Sequence, residues 1–254
     1  MIRLDRLPAP AEEGWWTLFD LGEEDTENWL LIGGQMMHVL AAEHGVSGLV
    51  RPTDDVDIVM NVRAKPGGTE WLARWLQDRG FELEGVSPAE VGHRFIRDAE
   101  GGSGRTIVDV LAPEGLGRRT TTYTVRPART VEAPGTVQAF RRSDVVEVTV
   151  TGMTGSHERS GVVRRPGLLG AIIAKAAATE IAVRQNPERD WQDAALRLPT
   201  IPDPIGAADE CDKKDRQRLR KLDPLTSRDH RGWDNLDDEA YRRGTSTLAF
   251  LLAT

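Results

Sequence analysis

The chain has very little cysteine and no long apolar run, and each absence excludes a class of protein. Cys211 is the single cysteine among 254 residues, which excludes an intrachain disulfide and a zinc site built from several thiolates. No stretch approaches the roughly 20 apolar residues of a membrane span, and residues 1 to 16 lack the segments of a secretory signal. We therefore expect a cytoplasmic protein that has no membrane as a partner.

An excess of positive charge is also missing. Lys and Arg number 33 against 40 Asp and Glu, which gives a formal net charge of −7. The molecule as a whole therefore does not attract polyanions as a basic nucleic-acid binder does, and any contact with RNA would use a local patch. Hydrophobic residues at 39% and charged residues at 29% are typical of a globular protein with one large or two modest domains.

The first part of the chain has the pattern of a mixed α/β domain. Residues 29 to 32 predict a strand, Gly33 and Gly34 a turn, and residues 35 to 44 a helix. Residues 55 to 62 are rich in β-branched side chains and predict a second strand. A further helix is predicted at 69 to 78, and further strands at 81 to 86, 93 to 97, 105 to 111 and 144 to 151. We place an α/β lobe at residues 1 to 151.

The pattern becomes helical after Pro166, which suits the first turn of a helix. Helices are predicted at residues 168 to 184, 190 to 198, 207 to 222 and 237 to 252. We place a helical lobe at residues 152 to 254. The predicted fold class is thus α/β (α+β), with a mixed sheet flanked by helices and a C-terminal helical lobe.

Three aspartates carry the chemistry that the sequence predicts. Asp55 and Asp57 stand at positions i and i+2 of one strand, so they point to the same face, and Asp109 lies on a later strand. Carboxylates this close repel one another, and a bound divalent cation relieves the repulsion; hard oxygen ligands favour Mg²⁺ or Mn²⁺. The sequence therefore predicts a metal site formed by Asp55, Asp57 and Asp109.

The glycine pair stands between a strand and a helix. Gly33 and Gly34 there allow backbone N–H groups to approach phosphate oxygens, next to the positive end of the helix dipole. Taken singly, an Asp-X-Asp is more often a solvated strand face and a Gly-Gly only a turn, so the order of the whole set carries the prediction.

Arg94 opens a strand near that of Asp109, and an arginine at a strand edge is usually only solvated.

The ordered set resembles the DNA-polymerase-β-like nucleotidyltransferase superfamily. It consists of Gly33-Gly34, then Arg51-Pro52-Thr53-Asp54-Asp55-Val56-Asp57-Ile58, then Arg105-Thr106-Ile107-Val108-Asp109-Val110. The form Arg-X-Ser/Thr-X-Asp-X-Asp is also that of the AbiEii-like toxins of bacterial toxin–antitoxin and abortive-infection systems. In this resemblance Thr53 positions phosphate or the strand of metal ligands.

Later motifs extend the resemblance from residues 29 to 111 up to about residue 198. They are Arg165-Pro166, Lys175 and Arg189-Asp190-X-X-Asp193. The resemblance implies that Lys175 contacts the triphosphate and that Asp190 supports the nucleotide site or this lysine. Gln35 departs from the family, which commonly has Ser or Thr directly after the glycine pair, so its part in nucleotide binding is the open point of the match.

The resemblance implies a two-metal transfer of a nucleoside monophosphate from an NTP such as ATP to an acceptor hydroxyl. It implies an RNA acceptor, in particular the tRNA 3′ end, and the role of a toxin with an antitoxin protein as partner. Two alternatives stay open at this point: a small-molecule nucleotidyltransferase of the antibiotic-modifying type, and a catalytically inactive paralogue that binds or interacts only.

Overall fold

The structure is a computed structural model that describes residues 2–46, 53–99, 104–117, 120–153, 155, 157–179 and 188–253. Contacts divide the chain into two compact units. The first unit comprises Met1–Ala133 with Ser143–Arg165, and the second unit comprises Pro134–Arg142 with Pro166–Thr254. The predicted mixed α/β class is confirmed. Arg51 and residues 180 to 184 of the predicted helix lie outside the described residues.

The first unit contains most of the strands. Its strands are β1 (Ile2–Leu7), β2 (Trp29–Ile32), β3 (Asp55–Met60), β4 (Glu82–Leu83), β5 (Arg94–Asp98), β6 (Arg105–Pro113), β7 (Glu132–Ala133), β8 (Ser143–Gly152) and β9 (Glu158–Pro166). Its helices are α1 (Ala9–Glu24), α2 (Gly33–Glu43) and α3 (Gly68–Gln77). β2 has the bounds predicted from the sequence, whereas β1, α1 and β9 were not predicted.

The larger sheet has the order β2-β3-β6-β5-β4, and β7 pairs with β6. β3 and β6 run parallel, while β2 runs antiparallel to β3 and β5 antiparallel to β6. A parallel neighbour needs a long crossover connection, and the chain between β3 and β6 supplies it with α3, β4 and β5. The antiparallel pair of β5 and β6 joins the strands predicted at residues 93 to 97 and 105 to 111.

Large apolar side chains fill the interior of the first unit. α1 packs against β3 and β6, and α2 packs against β2 and β3. Trp15, Phe19, Trp29, Phe81 and Phe95 are essentially inaccessible to solvent. Full burial of one such side chain contributes about 1.5–3 kcal/mol, so this core holds α1 and α2 firmly against the strands that carry the aspartates.

The smaller sheet has the order β1-β8-β9, with β1 parallel to β8. The predicted lobe boundary at residue 152 falls at the last residue of β8, whereas both β8 and β9 lie in the first unit. β9 stays with the first unit because it is part of the same sheet as β8. The hydrophobic pattern of single segments does not reveal such a pairing.

Helices form the second unit. They are α4 (Thr136–Arg141), α5 (Leu168–Ala178), α6 (Glu188–Arg197), α7 (Pro204–Asp209), α8 (Lys213–Leu219) and α9 (Asp238–Leu252). Short 3₁₀ segments lie at Leu198–Thr200, Arg220–Thr226 and Arg231–Trp233, and the helix predicted at 207 to 222 is divided among α7, α8 and the second of these segments. Trp233, Leu219 and Leu248 belong to the apolar core of this unit. No helix in the described residues is long and apolar enough to cross a lipid bilayer.

The close packing of α1 on β9 gives a first test. A Cβ on Gly22 would lie 2.2 Å from the carbonyl oxygen of Val162. Replacing glycine by alanine inside a helix normally stabilises it by about 1 kcal/mol. For Gly22→Ala we expect the opposite, a loss of about 1–3 kcal/mol in the free energy of unfolding, because the backbone must move. Chemical denaturation followed by circular dichroism measures it.

Gly85→Ala is the matched control for this prediction. A Cβ on Gly85 meets no atom within 4 Å, so we expect a change within about 0.5 kcal/mol. A Gly22→Ala variant as stable as the wild-type protein, or more stable, would contradict the close contact between α1 and β9.

Candidate active site

The register of β3 and β6 brings the three predicted carboxylates to one face of the sheet. Asp57 lies directly opposite Asp109 in the parallel pair, and Asp55 lies opposite Ile107. Paired residues of neighbouring strands project to the same side, and so do residues two apart on one strand. The side chains of Asp55, Asp57 and Asp109 therefore share a face.

Arg94 on β5 completes this face, and it contacts two of the aspartates. It lies opposite Asp109 in the antiparallel pair of β5 and β6. Its Nε donates to Asp109 Oδ1 at 2.9 Å and its Nη2 to Asp109 Oδ2 at 2.8 Å, so the guanidinium grips the carboxylate with two parallel bonds. Nη2 also lies 3.4 Å from Asp55 Oδ2. The sequence alone favours a solvated arginine at this position, because it does not reveal the register that puts Arg94 opposite Asp109.

The environment strengthens this ion pair. The Asp109 side chain is only 9% exposed, against 37% for Arg94 and 35% for Asp55. The hydrogen bonds to Asp109 raise the pKa of the Arg94 guanidinium above its usual value, although burial acts in the opposite direction. Arg94 is therefore a permanent positive charge, and a hydrogen-bonded pair with a desolvated partner is stronger than a surface ion pair.

The glycine pair places the start of α2 directly against β3. Gly33 has a φ of +70°, and a Cβ there would lie 1.7 Å from Asp57 Oδ2. A Cβ on Gly34 would lie 2.5 Å from the Cγ2 atom of Thr53. Only residues without a side chain allow this approach, so the pair sets the distance between the first turn of α2 and the Asp57 carboxylate.

Gln35 has a positioning role in the structure. Its side chain is buried, its Nε2 donates to the carbonyl oxygen of Thr53 at 2.9 Å, and its Oε1 accepts from Trp15 Nε1 at 2.9 Å. Both ends of the amide are thus bonded to protein. Gln35 ties α1 and α2 to the residue that lies two positions before the Asp-X-Asp segment, while its predicted contact with a nucleotide stays a prediction.

Lys175 lies on α5 in the second unit. Its Nζ is 3.3 Å from Asp190 Oδ1 and 2.5 Å from Asp193 Oδ2, and all three side chains are buried. The resemblance of the motifs predicts Asp190 and Asp193 as partners in this region, and both contact the lysine. A buried ammonium needs such partners, because an unpaired charge in the interior is costly.

Arg197, on α6, is a buried cation that no motif of the sequence reveals. It is fully inaccessible to solvent, and none of its guanidinium nitrogens has a hydrogen-bond partner in the described part of the chain. Burial lowers the pKa of this guanidinium to about 10, and the negative charge of Asp193 opposes the shift. Asp193 thus forms an ion pair with Lys175 and also acts on Arg197 through its charge.

The acidic face does not fit a bound divalent cation as the side chains stand. Across the described ranges no group of three or more His, Cys, Asp or Glu side chains is placed to hold a metal ion. At Asp109 both carboxylate oxygens accept a hydrogen bond from Arg94. Mg²⁺ demands regular octahedral oxygen coordination, and the positive charge of the guanidinium beside the carboxylate opposes a second cation there.

Comparisons with known proteins found a similarity at the level of the three-dimensional structure. No protein-family model matches the chain, and no curated protein matches it. Among solved structures it is similar to an antigenic nucleotidyltransferase-like protein from Paracoccidioides brasiliensis, with 14% sequence identity and a TM-score of 0.48. The match covers 85% of this chain and 89% of that chain. A similarity of this degree assigns no role to any residue, so the role of each residue must follow from its geometry in this chain.

The hydrogen bonds of Gln35 give a second test. Gln35→Ala leaves the buried indole N–H of Trp15 and the carbonyl of Thr53 without their partner, so we expect a loss of about 1–3 kcal/mol in the free energy of unfolding. Urea denaturation measures it. Gln77→Ala is the matched control, because Gln77 is exposed on α3 and should tolerate alanine within about 0.5 kcal/mol. Equal stability of the Gln35→Ala and Gln77→Ala variants would contradict the positioning role of Gln35.

Proposed function

We propose that the chain is a nucleotidyltransferase, which transfers a nucleoside monophosphate from an NTP to an acceptor hydroxyl. The observation that supports this most is the register of Asp57 opposite Asp109, with Asp55 on the same face and the start of α2 held against Asp57. The N-terminus of α2 beside this face is suited to a triphosphate, since the helix end attracts phosphate oxygens.

The proposed reaction is a direct transfer to the acceptor, with no covalent intermediate on the enzyme. A bond forms between the acceptor oxygen and the α-phosphorus, the bond from the α-phosphorus to the bridging oxygen breaks, and pyrophosphate leaves with that electron pair. The acceptor hydroxyl passes its proton to Asp55 or Asp57, the partly exposed carboxylates of this face, which are proposed to hold the hydroxyl by a hydrogen bond. The backbone at Gly33 and Gly34 is proposed to receive phosphate oxygens.

The finer parts of the proposal come from the resemblance of the motifs. They are an RNA acceptor, in particular the tRNA 3′ end, Mg²⁺ or Mn²⁺ as cofactor at Asp55, Asp57 and Asp109, and a toxin that acts in the cytoplasm under an antitoxin. Lys175 stays proposed as a contact of the triphosphate with Asp190 as its support. A phosphate oxygen would there compete with two carboxylates within 3.3 Å of the ammonium.

The ion pair of Arg94 favours a second candidate, a paralogue that binds a nucleotide without catalysis. In that protein the guanidinium neutralises Asp109 permanently and no divalent cation is needed for folding or binding. Calorimetric titration with ATP separates the two candidates. Binding that is equally tight with and without Mg²⁺, together with no transfer, supports the paralogue; binding that requires Mg²⁺ supports the enzyme.

Transfer itself gives the third test. The purified chain is incubated with each of the four α-labelled NTPs, total RNA and Mg²⁺ or Mn²⁺, and the RNA is separated on a denaturing gel. We expect a labelled RNA band with wild-type protein and a loss of about 100-fold or more with Asp57→Asn, the usual cost of removing one group that stabilises the transition state. Expression of the wild-type chain, and not of Asp57→Asn, should arrest growth of the host cell.

Asp54→Asn is the matched control, since Asp54 is exposed three residues before Asp57 and carries the same charge. Its activity should equal that of the wild-type protein, and circular dichroism should show the same fold for both variants. Undiminished labelling by a folded Asp57→Asn variant would reject the proposed site. Label on a small molecule instead of RNA would reject the RNA acceptor in favour of a small-molecule acceptor.

A further inference from the structure

A row of charged side chains runs across four strands of the larger sheet. Asp57 on β3 lies opposite Asp109 on β6, and Asp109 lies opposite Arg94 on β5. Glu84, directly after β4, continues the row, because its N–H donates to the carbonyl oxygen of Arg94 at 2.9 Å. Residues opposite one another on neighbouring strands project to the same side of a sheet, so Glu84 shares the face of the aspartates.

A cavity of about 430 Å³ lies at the Glu84 end of this row. Its lining residues are Glu84, Gly85, Val91, Gly92, His93 and Arg94. Its volume lies within the usual range of ligand pockets, about 300–1,000 Å³. Gly85 and Gly92 present backbone without a side chain, which lets a flat ring lie close against the wall. The cavity is therefore suited to a single planar ring system.

Hydrogen bonds hold the wall of the cavity in place. Between β4 and β5, the Ser87 N–H donates to the carbonyl oxygen of Val91 at 2.8 Å, and the Val91 N–H donates to Ser87 Oγ at 3.1 Å. The Gly92 N–H donates to the carbonyl oxygen of Arg129 at 2.9 Å. A Cβ on Gly92 would lie 3.1 Å from the carbonyl oxygen of Gly85, so the two glycines pack closely. The cavity is thus formed by the protein itself, and a ligand does not need to create it.

Glu84 gives the cavity its chemical preference. Its side chain is 47% exposed, and its Oε2 lies 4.0 Å from Arg94 Nε, which is an ion pair but too long for a hydrogen bond. The carboxylate accepts no hydrogen bond from the described part of the chain. An ionised carboxylate only accepts hydrogen bonds, so a ligand there must supply donors. The amino groups of adenine, cytosine and guanine are such donors, whereas uracil presents carbonyl oxygens.

The cavity and the start of α2 lie on opposite sides of the carboxylates. In the sheet order β2-β3-β6-β5-β4, Gly33 at the start of α2 follows β2, and Glu84 follows β4. An in-line displacement receives the acceptor oxygen on the side opposite the leaving pyrophosphate, so phosphates at α2 put the acceptor on the side of the cavity. Two strand spacings, roughly 10 Å, separate Glu84 from Asp109, which is about the length of a nucleoside from its sugar hydroxyl to the far edge of its base.

We propose that this cavity binds the base of the acceptor's terminal nucleotide, and that Glu84 selects a base with an amino group over uracil. The inference rests on the proposed function, whose acceptor it specifies. The base lies against Gly85 and Gly92 and donates to the Glu84 carboxylate. The sugar then extends along the row and brings its hydroxyl to Asp55 and Asp57.

Short RNAs that differ only in their last base test the proposal without any turnover. The trinucleotides UUA, UUC, UUG and UUU are titrated into ¹⁵N-labelled protein without NTP or metal ion, and nuclear magnetic resonance follows the backbone amides of Gly85 and Gly92. We expect both amide signals to shift with UUA, UUC and UUG. Binding of UUU should be about tenfold weaker, because a hydrogen bond to a charged group is lost. The amide signals of Gly33 and Gly34 should not shift.

Glu84→Gln tests the selecting residue, and Glu82→Gln is its matched control. A side-chain amide both donates and accepts hydrogen bonds, so with Glu84→Gln the preference over UUU should fall to within about twofold. Glu82 is exposed on β4, two residues before Glu84, carries the same charge and does not line the cavity. Its variant should keep the preference, and circular dichroism should show the same fold for both variants.

The outcomes separate this proposal from the proposed function. Equal binding of the four trinucleotides, or a preference that survives Glu84→Gln, would overturn the base selection, whether or not label enters RNA. Shifts at Gly85 and Gly92 with a non-hydrolysable ATP analogue alone would assign the cavity to the donor nucleotide and overturn it as well. If the trinucleotides bind as expected and no label enters RNA, the base site stands and the transferase alone is rejected.

Discussion

In the parallel pair of β3 and β6, Asp57 lies directly opposite Asp109, and the chemistry proposed for the first unit depends on that register. A shift of one residue would turn one of the two carboxylates to the other side of the sheet. The alternation of buried side chains prevents such a shift, because Val56 and Ile58 are fully buried on β3 and Val108 and Val110 on β6. Apolar packing on one side of each strand therefore fixes the acids on the other side.

Concentrated negative charge needs a counter-charge in a folded protein, and both units meet this need from their own sequence. In the first unit Arg94 bonds to Asp109 and approaches Asp55. In the second unit Lys175 contacts both Asp190 and Asp193. Such internal pairs compensate the charge within each unit, since isolated buried charges are costly.

The glycine turn connects the fold of the first unit to its function. Gly33 and Gly34 allow the first turn of α2 to contact β3, and Gln35 bonds that turn to Trp15 and to the backbone of Thr53. The position that the resemblance assigns to a small hydroxyl is thus occupied by a buried amide that ties three segments together. Rigid placement of the Asp-X-Asp strand is what the proposed transfer would require, because reacting groups must be held to within a fraction of an ångström.

The sequence by itself determined the order of strand, glycine turn and helix, the alternation that puts Asp55 and Asp57 on one face, and the helical character after Pro166. These features depend on neighbours within a few residues, and local periodicity carries them. Only the tertiary structure decided that Arg94 bonds to Asp109, that Gln35 holds Thr53, and that β9 belongs to the first unit. Each of these depends on strands or helices far apart in the chain. Their pairing and register follow from the packing of the whole core, so the local sequence around these residues does not reveal them.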